Sequence, residues 1–165
     1  MSGIEVNAEP ISGSSSAADT AGNAFLAGLT EGPGSHEAAL KIREAGNTLK
    51  ALAQSGAFAV NEAGFNAYLK ACNFFLDGYR DMRYDLNILT QTAQMGSSDY
   101  ANKVAKFNTT VAEGDTSAML PNLDLMYNGV KAALDALTIA RENYKKNESE
   151  NTTSFAELNK KLDNS

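Results

Sequence analysis

The sequence predicts an all-α fold, on three observations. Between Asn61 and Gln94, residues Phe65, Tyr68, Cys72, Phe75, Tyr79, Met82, Leu86, Leu89 and Ala93 recur at alternating steps of three and four. That is the a/d stripe of one long amphipathic helix. A second stripe runs Leu123, Tyr127, Val130, Leu134, Leu137, Arg141 and Tyr144. No segment alternates apolar and polar with period two for long, as half-buried strands do. The first helix would be about 50 Å long. It cannot bury its stripe on itself, and the second seam is its natural partner.

Bulk properties narrow the function classes. The chain has 165 residues, room for one domain and a tail. Its 20 acidic and 14 basic residues give a formal charge of −6. That argues against a nucleic-acid surface, which needs clustered Lys and Arg to displace counterions. No run of apolar residues is long enough to predict a membrane span. The first residues, MSGIEVNAEPISG, show neither a basic n-region nor an apolar h-region. No cleaved signal peptide is therefore expected, and the protein is cytoplasmic or exported by a route that reads something else. One cysteine excludes an internal disulfide framework.

In chain order, residues 1–34 are rich in Ser, Gly and Ala and hold no Lys or Arg. They predict a disordered or loosely held arm. Within it, the apolar patch Ala24–Leu29 is either one helical turn docked on the core or a greasy spot in the arm. Ser35 caps a helix with Glu37 in its first turn and Ala38, Ile42, Ala45, Leu49 and Leu52 on one face. It should stop near Ser55-Gly56. Asn61 caps the long helix, inside which Gly64 and Gly78 point to close approach of another backbone. Met95-Gly96-Ser97-Ser98 breaks it. Tyr100, Val104, Phe107 and Val111 resume helical spacing, and Gly114-Asp115-Thr116 interrupts again. Pro121 implies a kink or a boundary. After Lys146 the chain turns polar, and Phe155, Leu158 and Leu162 line one side of a short, fraying terminal helix.

Few residues offer chemistry. His36 is the only histidine, so it lacks the converging ligands of a metal site and the positioned partner of a general base. It reads as a solvent-facing first-turn residue. Cys72 sits within the apolar stripe and reads as a small buried hydrophobe. Asp81 and Asp85, interleaved with Arg80 and Arg83, read as the solvated back of a helix. No phosphate-binding Gly-rich loop is present. Asn108, Asn147 and Asn151 each begin an N-glycosylation pattern but read as polar helix-end residues. No catalytic residue, metal or cofactor is expected, and the chain does not read as an enzyme.

One motif remains. Tyr144-Lys145-Lys146-Asn147-Glu148 falls where the second seam runs out. It sets a phenol and a carboxylate one turn apart on one helix face. Two long helical arms at about 61–94 and 98–146, a short Gly-Ser turn and this Tyr-x-x-x-Glu together resemble the Trp-x-Gly helical-hairpin family of type VII (ESX) secretion substrates and partners. The turn here has no Trp, so the name-giving motif is missing, and the chain adds an arm and a helix at 35–55. The resemblance implies an antiparallel hairpin that builds a four-helix bundle, alone or by dimerisation. It also implies that Tyr144 and Glu148 form an export signal.

The resulting expectation is an all-α long antiparallel hairpin with an extra N-terminal helix. It comprises an arm at 1–34, a hairpin domain at 35–146 and a polar tail at 147–165. The function implied is a type VII secretion-associated protein, exported as a substrate or as the signal-bearing partner of a larger effector. It would work through a protein partner, as a homo- or hetero-dimer, and through the secretion machinery. It would be cytoplasmic first, then secreted or at the cell surface. Phe65, Phe75, Tyr79, Met82 and Leu86 should face Leu123, Tyr127, Val130, Leu134 and Leu137, within one chain or across the partner interface. The alternative is a non-exported cytoplasmic adaptor or immunity protein, which needs the same seams and no Tyr144.

Overall fold

A computed structural model describes residues 16–91 and 96–163. The first fifteen residues of the arm, Ala93 of the expected long-helix stripe, Met95 of the expected turn, and residues 164–165 lie outside them. The described residues form five helices: α1 (Ser16–Glu31), α2 (His36–Gln54), α3 (Glu62–Thr90), α4 (Asp99–Glu113) and α5 (Met119–Asp163). No strand occurs among the described residues, so the fold is all-α.

The helix starts follow their caps. The Ser35, Asn61 and Ser98 side chains accept from the backbone N–H of Ala38, Gly64 and Ala101, supplying partners the first turns lack. Helix α2 ends as expected at Gly56, whose φ of 77° needs no Cβ. There the Ala57 N–H donates to Leu52 and the Gly56 N–H to Ala53, a Schellman closure. The expected second arm is two helices. Asp115 accepts from the Ser117 N–H and hydroxyl at the break. Pro121 sits in the first turn of α5, where its missing N–H costs no helical hydrogen bond.

Helix α5 is the axis of the molecule. Its most extensive contact is with α2, not α3. The two run parallel: His36 lies against Asn122, Gly46 against Gly129, Lys50 against Asp135, and Ala53 against Asn143. Small residues make this possible. A Cβ on Gly129 would sit 2.5 Å from the Ile42 carbonyl oxygen, and one on Gly46 would collide with the Gly129 backbone. Ala39, Ala45, Ala53, Ala133, Ala136 and Ala140 fill the rest of the buried interface with Ile42, Met126 and Val130.

Part of the N-terminal arm is ordered. Helix α1 packs on α2, with Phe25 only 2% exposed and Ala18 and Ala21 buried beside it. Gly28 lets α1 approach, since a Cβ there would meet Ile42 and the Ala38 carbonyl. The Ala24–Leu29 patch thus belongs to a four-turn helix docked on the core. The apolar face that earns this order is short and Ala-rich, which is why composition alone suggested looseness.

Helix α3 runs antiparallel to α5. Glu62 meets Arg141, Tyr79 stacks on Tyr127, and Leu86 clusters with Leu123. The α3–α5 contact within the chain is thin. Only Cys72 and Leu86 of α3 are buried. Helix α4 covers the distal part through Ala112, which joins Leu86, Leu120 and Leu123. Gly78 does not mark a backbone crossing, because nothing lies within 4 Å of its would-be Cβ. The crossing is at Gly46 and Gly129. The tail expected after Lys146 is the continuation of α5, helical to Asp163 and exposed from residue 145 to 162.

Candidate functional site

The sequence-predicted interface residues are spent largely inside the chain. Val130 and Leu137 are buried in the main core, and Phe65, Phe75 and Leu134 pack half-buried against it. Leu123 and Leu86 are buried in a separate, smaller cluster, which Tyr79 and Met82 join. The Tyr79 and Tyr127 rings stack at 4.4 Å between centroids. The Tyr79 hydroxyl donates to Asp124 at 2.8 Å and accepts from Arg83, which also pairs with Asp124. Burial first, then the bond to Asp124, pushes the Tyr79 phenol up. Arg83 is therefore a cross-helix clasp and not part of the solvated ladder, while Asp81 and Asp85 stay exposed.

His36 and Asn122 form a second clasp. Asn122 is fully buried. Its amide donates to the Pro33 carbonyl at 3.1 Å and to the Ser117 carbonyl at 2.9 Å. With both N–H groups so used, its carbonyl faces His36 Nδ1 at 2.7 Å. His36 must therefore donate from Nδ1, which it does whether the ring is neutral or charged. The bond ties the α1–α2 turn to the start of α5 and asks nothing of the second ring nitrogen.

Cys72 is 1% exposed, and burial pushes its thiol up to about 11. A protonated, enclosed thiol is a poor nucleophile. Among the described residues no group of three or more His, Cys, Asp and Glu is placed to hold a metal. The surface grooves are shallow. One lies between α1 and α2, with Ala17, Ala21, Ala24 and Ala45 on its apolar side and Thr20, Lys41, Glu44 and Thr48 on its polar side.

The end of the seam is different. Arg141 forms a two-pronged ion pair with Glu62 at 2.7 and 2.8 Å and lies over the Phe65 ring, 4.7 Å from its centroid. One step further on the same face is Tyr144, half-buried, and one turn beyond is Glu148, exposed. Interaction with the Glu148 carboxylate, one turn on, holds the Tyr144 phenol above its usual range. The two residues place an aromatic ring and an acid side by side on a helical surface. Close by, Asn143 donates to the carbonyls of Ala53 and Phe58 at 2.8 and 3.0 Å, fixing α5 against the α2–α3 loop. Tyr144 thus leaves the body of the protein from an anchored turn.

Comparison with family models, curated proteins and solved structures finds no match for this chain.

Sequence reasoning missed Asn122, Asn143 and Asp124. An Asn or Asp on a helix carries no local sign that its partner lies some forty to ninety residues away. It also missed Gly46 and Gly129. Their signal was present, since each lies among regularly spaced small residues in a helical stretch.

Proposed function

We propose that this protein is a type VII secretion-associated binding protein, exported as a substrate or as the signal-bearing partner of a larger effector. The observation that carries the reading is the Tyr144–Glu148 pair. It lies where α5 leaves the body, with Tyr144 half-buried and Glu148 exposed. An export receptor needs a feature that stays presented while its cargo is folded, and a helix-borne pair anchored by Arg141 and Asn143 meets that need.

The test is fractionation of the source cells. Full-length protein in the culture medium, without general lysis, is the expected result. Protein confined to the cytoplasm under every growth condition that expresses it would overturn the proposal and leave the adaptor reading.

A further inference from the structure

The core is divided along α3. The first half of that helix belongs to the main core, where Phe65, Tyr68, Cys72 and Phe75 share a cluster with Val130 and Leu137 of α5. The second half belongs to the smaller cluster of Leu86, Ala112, Leu120 and Leu123, joined by Tyr79 and Met82. The division falls between Phe75, which packs on both clusters, and Tyr79. Gly78 sits there, in the interior of a 29-residue helix. It has no packing reason. A Cβ on Gly78 would meet nothing within 4 Å, whereas one on Gly46 or Gly129 would collide with backbone. A glycine inside a helix weakens it relative to alanine and frees its torsions, and hinges are often small residues.

Beyond Gly78 the attachment is thin. Helix α4 touches α3 and α5 but neither α1 nor α2. From Tyr79 to Thr90 and along α4, the buried residues are Leu86, Ala105 and Ala112. A polar tie stands at the root. The Tyr79 hydroxyl donates to Asp124, and Arg83 donates to both. The Arg83 and Asp124 side chains are nearly half exposed, so salt screens their attraction. At the far end α4 stops at Gly114, just before Ser117, whose carbonyl is held by Asn122.

We infer that α3 beyond Gly78 and α4 together form a hinged flap, latched to α5 by Tyr79, Arg83 and Asp124, which opens while the rest of the protein stays folded. Closed, the flap covers Leu120 and Leu123 of α5; open, it bares them together with Leu86 and Ala112. The first half of α3 stays on the main core, so Cys72 remains enclosed in both states. Local units of this kind open at a lower free energy than the whole fold. Helical segments this short are marginal once they lose their support, so the amides of an open flap lose protection. The Tyr144–Glu148 turn lies toward the other end of α5, and the flap works the same way whether or not the chain is exported.

The test places a thiol in the smaller cluster and keeps Cys72 as the internal control. The full-length Ala112→Cys chain is treated with an aromatic disulfide reagent at pH 8 in native buffer, and the labelled site is read by mass spectrometry. The introduced thiol should react roughly tenfold faster than Cys72, or more. Adding Arg83→Met, which keeps the stem and removes the charge, should raise that rate about threefold or more and leave Cys72 as it was. Adding Gly78→Ala should lower it about fivefold. Asn73→Ala, at an exposed α3 position before the hinge, should leave it unchanged. Hydrogen exchange on the unaltered chain is the second measurement, free of any strain from the new thiol. There amides 82–90 and 102–113 should exchange together and faster than amides 66–76. Equal protection along the whole of α3, equal labelling of the two thiols, an Arg83→Met effect shared by Cys72, no slowing by Gly78→Ala, or the same slowing by Asn73→Ala would overturn the proposal.

Discussion

The fully buried Asn122 binds two carbonyl groups and an imidazole N–H, and no apolar residue could replace those bonds. Asn122→Ala should therefore cost about 2–3 kcal/mol, since it removes three hydrogen bonds made by one buried amide. Chemical denaturation measures the loss. A cost below about 1 kcal/mol would mean that water replaces the amide. Cys72 gives a second prediction at this scale. Its thiol is raised from the ordinary 9.0 to about 11 by burial. A raised value means that the folded state keeps its proton longer than the unfolded chain does. Stability from this source is complete below pH 9 and is lost as pH rises toward 11. Between pH 9 and 10, wild type should lose about 1 kcal/mol more than Cys72→Ala does. Denaturation curves of the two proteins at both pH values show whether it does. The thiol should also resist an aromatic disulfide reagent at pH 8 until the protein unfolds.

Among the elements, the α2–α5 crossing bears the closest packing. Gly129→Ala should cost about 3 kcal/mol or more, because its Cβ would press on the Ile42 and Arg43 backbone, which cannot yield as a flexible side chain can. Gly78→Ala on α3 meets open space and should instead stabilise by up to about 1 kcal/mol. Thermal melts of the two variants shifting in the same direction would contradict this assignment. The contrast also shows what the sequence could and could not tell. The α3 stripe, the caps at Ser35 and Asn61, the Gly56 stop and the boundary at Pro121 are local signals, set by spacing and side-chain type, and were legible. The parallel α2–α5 pairing was not, because alanines and glycines pack closely without a strong apolar periodicity. The order in α1 was hidden for the same reason. Of the candidate site, the Tyr144-x-x-x-Glu148 spacing was readable. Its anchoring by Arg141 and Asn143 was not, because those partners lie 79 to 90 residues away.

The whole molecule is a small-residue core of α1, α2 and α5, a thinner α3–α4 layer, and a helix that carries the Tyr144–Glu148 turn out of the body. In that arrangement stability and recognition are separable. The seam can be weakened without touching the turn, and the turn altered without loosening the seam. Glu148 is exposed, so Glu148→Gln removes a charge but little volume, and should change stability by no more than about 0.5 kcal/mol. Tyr144→Ala is less clean, because the residue is half-buried. The most direct test of the account is therefore the amount of Glu148→Gln protein in the culture medium of the source cells, set beside its intracellular amount and its thermal melt. The account predicts a protein that melts like wild type, accumulates inside the cell and is missing from the medium. Export of the folded variant at the wild-type level would contradict it.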